Sequence, residues 1–244
     1  MSTQKTNFYT VINRKAYWPA IDRNDYVSYA VYYSPDCTLP ASRAVQTICL
    51  NIPRLAFIVY LLDDPIYTAR DFFLLNKFFV DPTTRMNSHL NFGRIIPEPR
   101  VTSGGSEGLV ELNCFASFVQ YPPLFPTLAV DQRTPYQGMV TWFRDFRTWF
   151  YTSPIGQGEI GTPNNHGSNA TLQLTAYSLL LDDAVGAKSV LIRFMAGAYQ
   201  HQINATGAQP LELERTNSFT YSAENLGILY TMATLGGQVT GVNM

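Results

Sequence analysis

The chain is short of charged residues. Asp, Glu, Lys and Arg together make up 14% of its 244 residues, and lysine occurs only four times. An ordinary soluble domain has about 25% charged residues. Because a surface so poor in charge tends to associate, the composition favours a subunit that is buried against partners over a free enzyme. The alternative is a large isolated core surrounded by polar, uncharged loops.

Cysteine pairs, basic runs and long apolar runs are also lacking. Cys37, Cys49 and Cys114 have no CxxC spacing, which predicts reduced, buried thiols and neither a zinc site nor a disulfide framework. A net charge of −1 without a basic cluster excludes a polycationic arm for nucleic acid. The longest uncharged apolar run, 55–62, is too short to span a bilayer, and the polar N-terminus lacks the apolar core of a signal peptide. We therefore expect an intracellular protein.

Aromatic residues are plentiful, and the stretch 134–151 holds two of the three tryptophans. Thr134 and Pro135 are typical of a helix start, since threonine caps well and the first helical position does not need its N–H. From Phe146 onwards large side chains alternate on both sides of the chain, with a period of two. This pattern predicts a short helix that passes into a central strand covered on both faces.

The remaining patterns mostly indicate strands. Clear alternation over 171–181 predicts another strand, whereas the glycines, prolines and asparagines of 153–169 predict a surface loop. The best helical pattern covers 66–80, with Asp64 and Pro65 as its cap and first residue. The total is about eight strands and two short helices, without the strand–helix–strand alternation of a Rossmann or TIM fold.

The predicted fold is therefore mainly β, an eight-stranded antiparallel jelly-roll β-sandwich with two short helices. Residues 1–26 show no sustained period and are expected to form an extended N-terminal arm. Residues 27–244 are expected to form a single jelly-roll-like β domain, a size that all-β sandwiches often reach.

Two glycine motifs resemble catalytic or cofactor signatures. The sequence 156–161 fits GxGxxG, but a dinucleotide site requires a helix to open at the third glycine, and the residues that follow predict a loop. The sequence 104–108 fits GxSxG, and Asp183 and His201 follow in the order of a hydrolase triad. A nucleophile elbow needs a strand before its serine and a helix after it, and neither is predicted around Ser106.

No cluster for chemistry stands out. His89, His166 and His201 lack metal-ligand spacing, and His166 and His201 are expected to be ordinary hydrogen-bonding residues. We predict no catalytic residue, no cofactor and no metal ligand. Two arginines and an aspartate lie among the tryptophans of the central stretch, where they could stack on bases or form ion pairs. We interpret them as candidates for subunit contacts: Arg144, Asp145 and Arg147.

Two segments resemble elements of picorna-like capsid proteins of the picornavirus, dicistrovirus and marnavirus type. The segment 136–151 is similar to the helix-then-strand element that enters their jelly roll, although Asp145 stands where the family has a glycine after its arginine. The segment 67–78 is similar to the helix upstream of the roll, with matches at Arg70, Leu74, Leu75 and Lys77. This resemblance implies a virion subunit with a jelly-roll core.

The first functional hypothesis is thus a capsid protein, not an enzyme, that assembles in the host cytoplasm into an icosahedral virion shell. Its partners would be copies of itself and other capsid subunits, with a host receptor at the surface loops, no strong nucleic-acid binding and no membrane span. The alternative is a carbohydrate- or receptor-binding β-sandwich attachment protein. An esterase that uses Ser106 is the third hypothesis.

Overall fold

The computed structural model describes residues 25–29, 40–95, 101–120, 124 and 128–239, and these are mostly helical. Two short strands, β1 (Val27–Tyr29) and β2 (Phe92–Ile95), pair in parallel. A 3₁₀-type segment covers Ser106–Gln120. The helices are α1 (Pro40–Leu62), α2 (Pro65–Leu75, continued by a π-helical turn over Asn76–Val80), α3 (Val130–Thr152), α4 (Pro154–Glu159), α5 (Asn165–Leu180), α6 (Ala184–Ala196), α7 (Tyr199–Gln202), α8 (Pro210–Leu213) and α9 (Ser218–Gly236).

The predicted jelly-roll β-sandwich is wrong. In the described ranges the sheet consists of β1 and β2 alone, and the two strands run parallel. The stretches that predicted the central strands form α3 and α5 instead. The division into an arm over 1–26 and one domain over 27–244 stays a prediction, because residues 1–24 lie outside the described part.

Helix α3 shows why the period-two pattern was misleading. Its buried aromatic residues recur every three or four positions, the spacing of one helix face. Trp142 and Phe146 stack with ring centroids 4.9 Å apart, and the Trp142 indole N–H donates to the Met86 carbonyl at 2.7 Å. Phe143 contacts Phe79, Phe115 and Tyr177 at the centre of the larger hydrophobic core. With so many aromatics in a row, periods of 2 and 3.6 both fit the sequence.

Phe143→Ala should lower the free energy of unfolding by about 3–5 kcal/mol, because the phenyl ring is fully buried and its removal leaves a cavity. Urea denaturation followed by circular dichroism measures the change. Phe219→Ala is the matched control, since that ring is 85% exposed and its loss should change stability by less than about 0.5 kcal/mol. Equal effects of the two substitutions would contradict the assignment of this core.

Helix α5 is the central element and is buried along almost its whole length. It packs against the 3₁₀ segment, α6 and α9. Several of its buried polar side chains bond within the protein: the Gln173 amide donates to the Leu109 carbonyl at 2.9 Å and to Asn169 at 2.7 Å, and the Tyr177 hydroxyl donates to Gln173 at 2.8 Å. The predicted alternation was wrong because the side chains taken as outward-facing, such as Thr175, are also buried.

Helix α2 confirms the helix predicted over 66–80 and its start. The Asp64 carboxylate accepts from the Ile66 N–H at 2.8 Å, and Pro65 occupies the first turn. In the preceding helix α1, the stretch Ala44–Leu62 is long and apolar enough to cross a membrane by length and composition. One face of that helix, which includes Ile48, Ile52 and Ala56, packs into the core.

A disulfide between Cys49 and Cys114 joins α1 to the 3₁₀ segment. The prediction that these cysteines are reduced thiols is therefore wrong. Spacing along the chain could not reveal the pair, because 65 positions separate the two cysteines and only the fold brings them together. Cys37 lies outside the described residues.

Candidate active site

A tight turn leads from α4 into the N-terminus of α5. Gly161 has a backbone φ of +85°, a conformation that favours glycine. Asn164 caps α5, its side-chain oxygen accepting from the His166 N–H at 3.1 Å. A Cβ on Gly167 would lie 2.0 Å from the Thr162 carbonyl oxygen, so the turn packs too closely against the start of α5 for any side chain at this position. This geometry fixes Asn165 and His166 at the positive end of the helix dipole.

His166 forms an ion pair with Glu159, the last residue of α4. The imidazole Nδ1 lies 3.1 Å from each carboxylate oxygen, and the Glu159 side chain is almost completely buried. The hydrogen bond that the imidazole donates to the Glu159 carboxylate raises the pKa of His166, and burial opposes this shift only in part. Nδ1 is thus held by Glu159, and Nε2 has no partner among the residues that the structure describes.

Glu159→Gln should lower the pKa of His166, because the amide retains a hydrogen-bonding group but loses the charge that favours the imidazolium. The pKa of His166 is higher in the folded chain than in the unfolded chain, and this decides how stability changes with pH. The stabilisation by the ion pair is complete below the unfolded-state pKa and is lost as pH rises through the folded-state pKa. An NMR titration of the His166 ring measures the shift, with Glu214→Gln, an exposed change, as control. An unchanged titration in Glu159→Gln would contradict this role.

Asn165 connects the turn to α8 and to the segment that follows it. Its main-chain N–H donates to the buried Glu212 carboxylate at 2.6 Å, and its side-chain oxygen accepts from Arg215 Nη1 at 3.3 Å. The Arg215 guanidinium lies 3.7 Å from the centroid of the Tyr221 ring. Arg215, with the Tyr221 ring against it, is therefore held at Asn165, the residue that precedes His166.

Buried amide side chains support the turn from behind. Gln202 donates to the Asn164 carbonyl at 2.9 Å and accepts from the Ser168 hydroxyl at 2.8 Å. Asn225 of α9 donates to Gln209 at 2.8 Å and to Gln202 at 3.4 Å. Since all these side chains except that of Asn164 are almost completely buried, the network ties α5, α7 and α9 together at the end that holds the site.

The assembled side chains suit proton transfer near a carboxylate. His166 can carry a proton, Tyr221 has a phenolic O–H, and Arg215 offers the planar fork that carboxylates prefer. The charge of Arg215 lowers the pKa of His166 through space, and that of Glu107 raises it. Among the described residues no group of three or more His, Cys, Asp or Glu side chains could hold a metal ion.

The structure does not assemble the sites suggested by the two glycine motifs. Asp183, the second member of the suggested hydrolase triad, caps α6 by accepting from the Gly186 N–H at 2.8 Å, and it pairs with Arg147 at the same distance. The Gly186 N–H and then Arg147 hold the pKa of Asp183 below its ordinary value, against its burial. GxGxxG falls on α4 and the following turn, and it follows α3 instead of a strand. A helix does begin soon after it, at Asn165, contrary to the loop predicted over 153–169.

The three proposed subunit-contact residues lie on α3. Arg144 and Asp145 are exposed, whereas Arg147 bonds within the chain to Asp183 and, at 3.0 Å, to Ser178. Their role in subunit contacts stays a prediction. His89 lies 3.2 Å from Asp25, an ion-pair distance, and not in a cluster with the other histidines.

Sequence reasoning missed Asn165, Arg215 and Tyr221 and assigned His166 no role in chemistry. One signal was available in the chain itself: Asn169, Gln173 and Tyr177 recur every four residues, the spacing of hydrogen-bonding partners on one helix face. A helix over that region would have placed His166 in its first turn. Nothing in the spacing indicates that Arg215 lies beside it.

The fold and site define a helical protein with a histidine–carboxylate pair and an arginine at the end of a buried helix. Comparison with known proteins identifies the group: the profile of the alginate lyase family matches residues 4–244, and the chain belongs to this family. A solved structure of an alginate lyase from Bacteroides ovatus is similar, with a TM-score of 0.84 and 25% identity over 99% of this chain and 70% of that one. No curated protein matches.

These findings correct the functional hypotheses. Family membership indicates a lyase, so the prediction that the chain is not an enzyme is wrong. The resemblance to picorna-like capsid proteins, the virion location and the capsid-subunit partners are wrong as well, and so is the alternative of an attachment protein. The short matching segments misled because both are apolar helices in this fold, where aromatic and leucine-rich spacing reflects core packing.

Proposed function

We propose that this chain cleaves alginate by β-elimination at the site around His166. Alginate is a chain of uronate sugars, and elimination removes the proton beside the carboxylate while the glycosidic C–O bond breaks. A carbon–carbon double bond forms in one product, and the leaving oxygen takes up a proton. The site must therefore neutralise a carboxylate, accept one proton and supply another.

The observation that carries this proposal is the His166–Glu159 pair beside Arg215 in a chain of this family. Glu159 binds Nδ1, so in the neutral imidazole the lone pair resides on Nε2 and can accept the proton from the sugar. The imidazolium that forms is stabilised by the buried carboxylate. A buried acidic residue plays the same part behind the histidine of a serine protease triad.

Arg215 is the group that can neutralise the sugar carboxylate. Its guanidinium is always charged, and its hydrogen bond to Asn165 fixes its orientation toward the turn. Neutralisation withdraws electrons from the adjacent carbon and makes the proton there easier to remove. Tyr221, held against Arg215, is the phenol that can protonate the leaving oxygen.

The test is incubation of the full chain with alginate, followed by ultraviolet absorbance of the new double bond. Mass spectrometry separates elimination from hydrolysis, because only hydrolysis adds a water molecule. Alginate with its carboxylates reduced to alcohols is the matched control and should not react. Products that carry the added water, or equal cleavage of the reduced polymer, would contradict the proposal.

A further inference from the structure

A small pocket lies next to the turn between α4 and α5. Its volume is 160 Å³, and its walls come from α3, the turn, α5 and α6. Gly161 of the turn and Ala170 of α5 line it, and Leu174 and Val190 supply apolar surface. His166, Asn165, Arg215 and Tyr221 do not line it, so it is distinct from the proposed active site.

Three polar side chains line this mostly apolar pocket, and one of them, Thr171, already donates its hydroxyl to the Gly167 carbonyl at 2.8 Å. Arg193 of α6 is exposed, and its guanidinium has no ion pair among the described residues. Tyr151, at the end of α3, is partly buried, and its phenolic oxygen has no hydrogen bond within the same ranges. Burial raises the pKa of Tyr151, and the charges of Arg147 and Arg193 oppose that shift. A hydrogen-bond donor and a cation therefore converge on one pocket.

We propose that this pocket binds a small apolar carboxylate, with its hydrocarbon group against Leu174 and Val190 and its carboxylate on Arg193 and Tyr151. An apolar cavity of about 150 Å³ holds a molecule the size of benzene, which sets the size of the hydrocarbon group. The guanidinium fork selects a carboxylate over a neutral group. A saccharide fits poorly, because the apolar walls would leave most of its hydroxyls without partners.

This inference goes beyond the proposed function and does not depend on it, since binding is measured without alginate. Benzoate is the probe, benzyl alcohol its neutral counterpart, and isothermal titration calorimetry of the full chain gives both affinities. Benzoate should bind at one site and at least tenfold more tightly than benzyl alcohol, because a hydrogen bond to a charged group is stronger than one to a neutral group.

Two pairs of variants locate the ligand. Val190→Phe fills the pocket and should abolish benzoate binding, whereas Ile192→Phe adds the same ring on the same helix outside the pocket and should not. Arg193→Gln should weaken benzoate binding about tenfold and leave benzyl alcohol unaffected, with Arg144→Gln on the exposed face of α3 as control. Val190→Leu, a smaller insertion, replaces Val190→Phe if circular dichroism shows that the latter is unfolded.

Several results would overturn the proposal. If benzoate does not bind saturably, or if benzyl alcohol binds with equal affinity, the pocket does not recognise a carboxylate. Retention of full affinity in the filled-pocket variant places the ligand elsewhere. If Arg193→Gln and Arg144→Gln lose benzoate affinity equally, Arg193 does not contact the carboxylate and only the net charge of the protein matters.

Discussion

His166→Gln is expected to lower kcat/KM for alginate by about 10³-fold. Glutamine retains a polar side chain but cannot carry the proton, and a positioned acid–base group contributes between about 10² and 10⁴ to the rate. The loss should appear mainly in kcat, because Arg215 remains available to hold the substrate carboxylate. Initial rates from the absorbance of the double bond measure both constants.

The control for this variant is His201→Gln, since His201 is exposed on α7, where the change should leave the rate within about twofold. Thermal unfolding of both variants excludes loss of fold as the cause. A His166→Gln enzyme with more than a tenth of the original kcat would show that another group accepts the proton. That result would contradict the assignment of His166 as the base but not the elimination reaction itself.

Removal of the Cys49–Cys114 bridge in the double variant Cys49→Ser/Cys114→Ser is expected to lower the free energy of unfolding by about 4 kcal/mol. The loop that the bridge closes spans 65 positions, and a cross-link over such a loop restricts the unfolded chain by about this amount. The bridge fastens α1 to the 3₁₀ segment, which in turn contacts α5 through the Leu109 carbonyl. Urea denaturation of the oxidised wild type and of the variant gives the difference.

Cys37→Ser separates the effect of the bridge from that of losing a thiol, because this variant retains both bridging cysteines. Its unfolding free energy should shift far less than that of the double variant. Treatment of the wild type with a reductant should reproduce the double variant. Identical denaturation midpoints with and without reductant would show that the bridge contributes nothing to stability.

Local chemistry was enough to predict one helix of the fold. Asp64 and Pro65 are adjacent in the sequence and act on the first turn of their own helix, so the start of α2 could be read without tertiary information. Helix α3 differed, because its start at Val130 carries no side-chain cap and Pro135 lies within the helix. The cap-and-proline pattern thus indicated the wrong first residue, and the aromatic run indicated the wrong period.

Helix α5 could not be recognised from amphipathicity. A surface helix has one apolar face, whereas α5 is buried on all sides and mixes small, apolar and amide residues around its circumference. The burial of Gln173 depends on the Leu109 carbonyl, which is 64 positions away in the chain. Only the fold supplies that partner, so the sequence pattern resembled an amphipathic strand.

The site was hidden for a similar reason. His166 and Glu159 are seven residues apart within a stretch that is rich in turn-forming residues, and such a stretch predicts a loop. Arg215 is 50 positions from the Asn165 side chain that it bonds. Its approach depends on the packing of α9 against α5, which the buried amides of Gln202 and Asn225 help to hold.

The burial of α5 limits which substitutions this enzyme can accept during evolution. Substitution of its buried hydrogen-bonding residues, such as Ser168, Gln173 and Tyr177, would leave a buried partner without its hydrogen bond, so these mutations are expected to be eliminated before they alter the substrate range. In the first turn of α9, by contrast, Phe219 and Thr220 are exposed, so substitutions there leave no buried partner without a hydrogen bond. New specificities should therefore arise at exposed positions such as these, which neighbour Tyr221 in the chain, while the turn that holds His166 stays fixed.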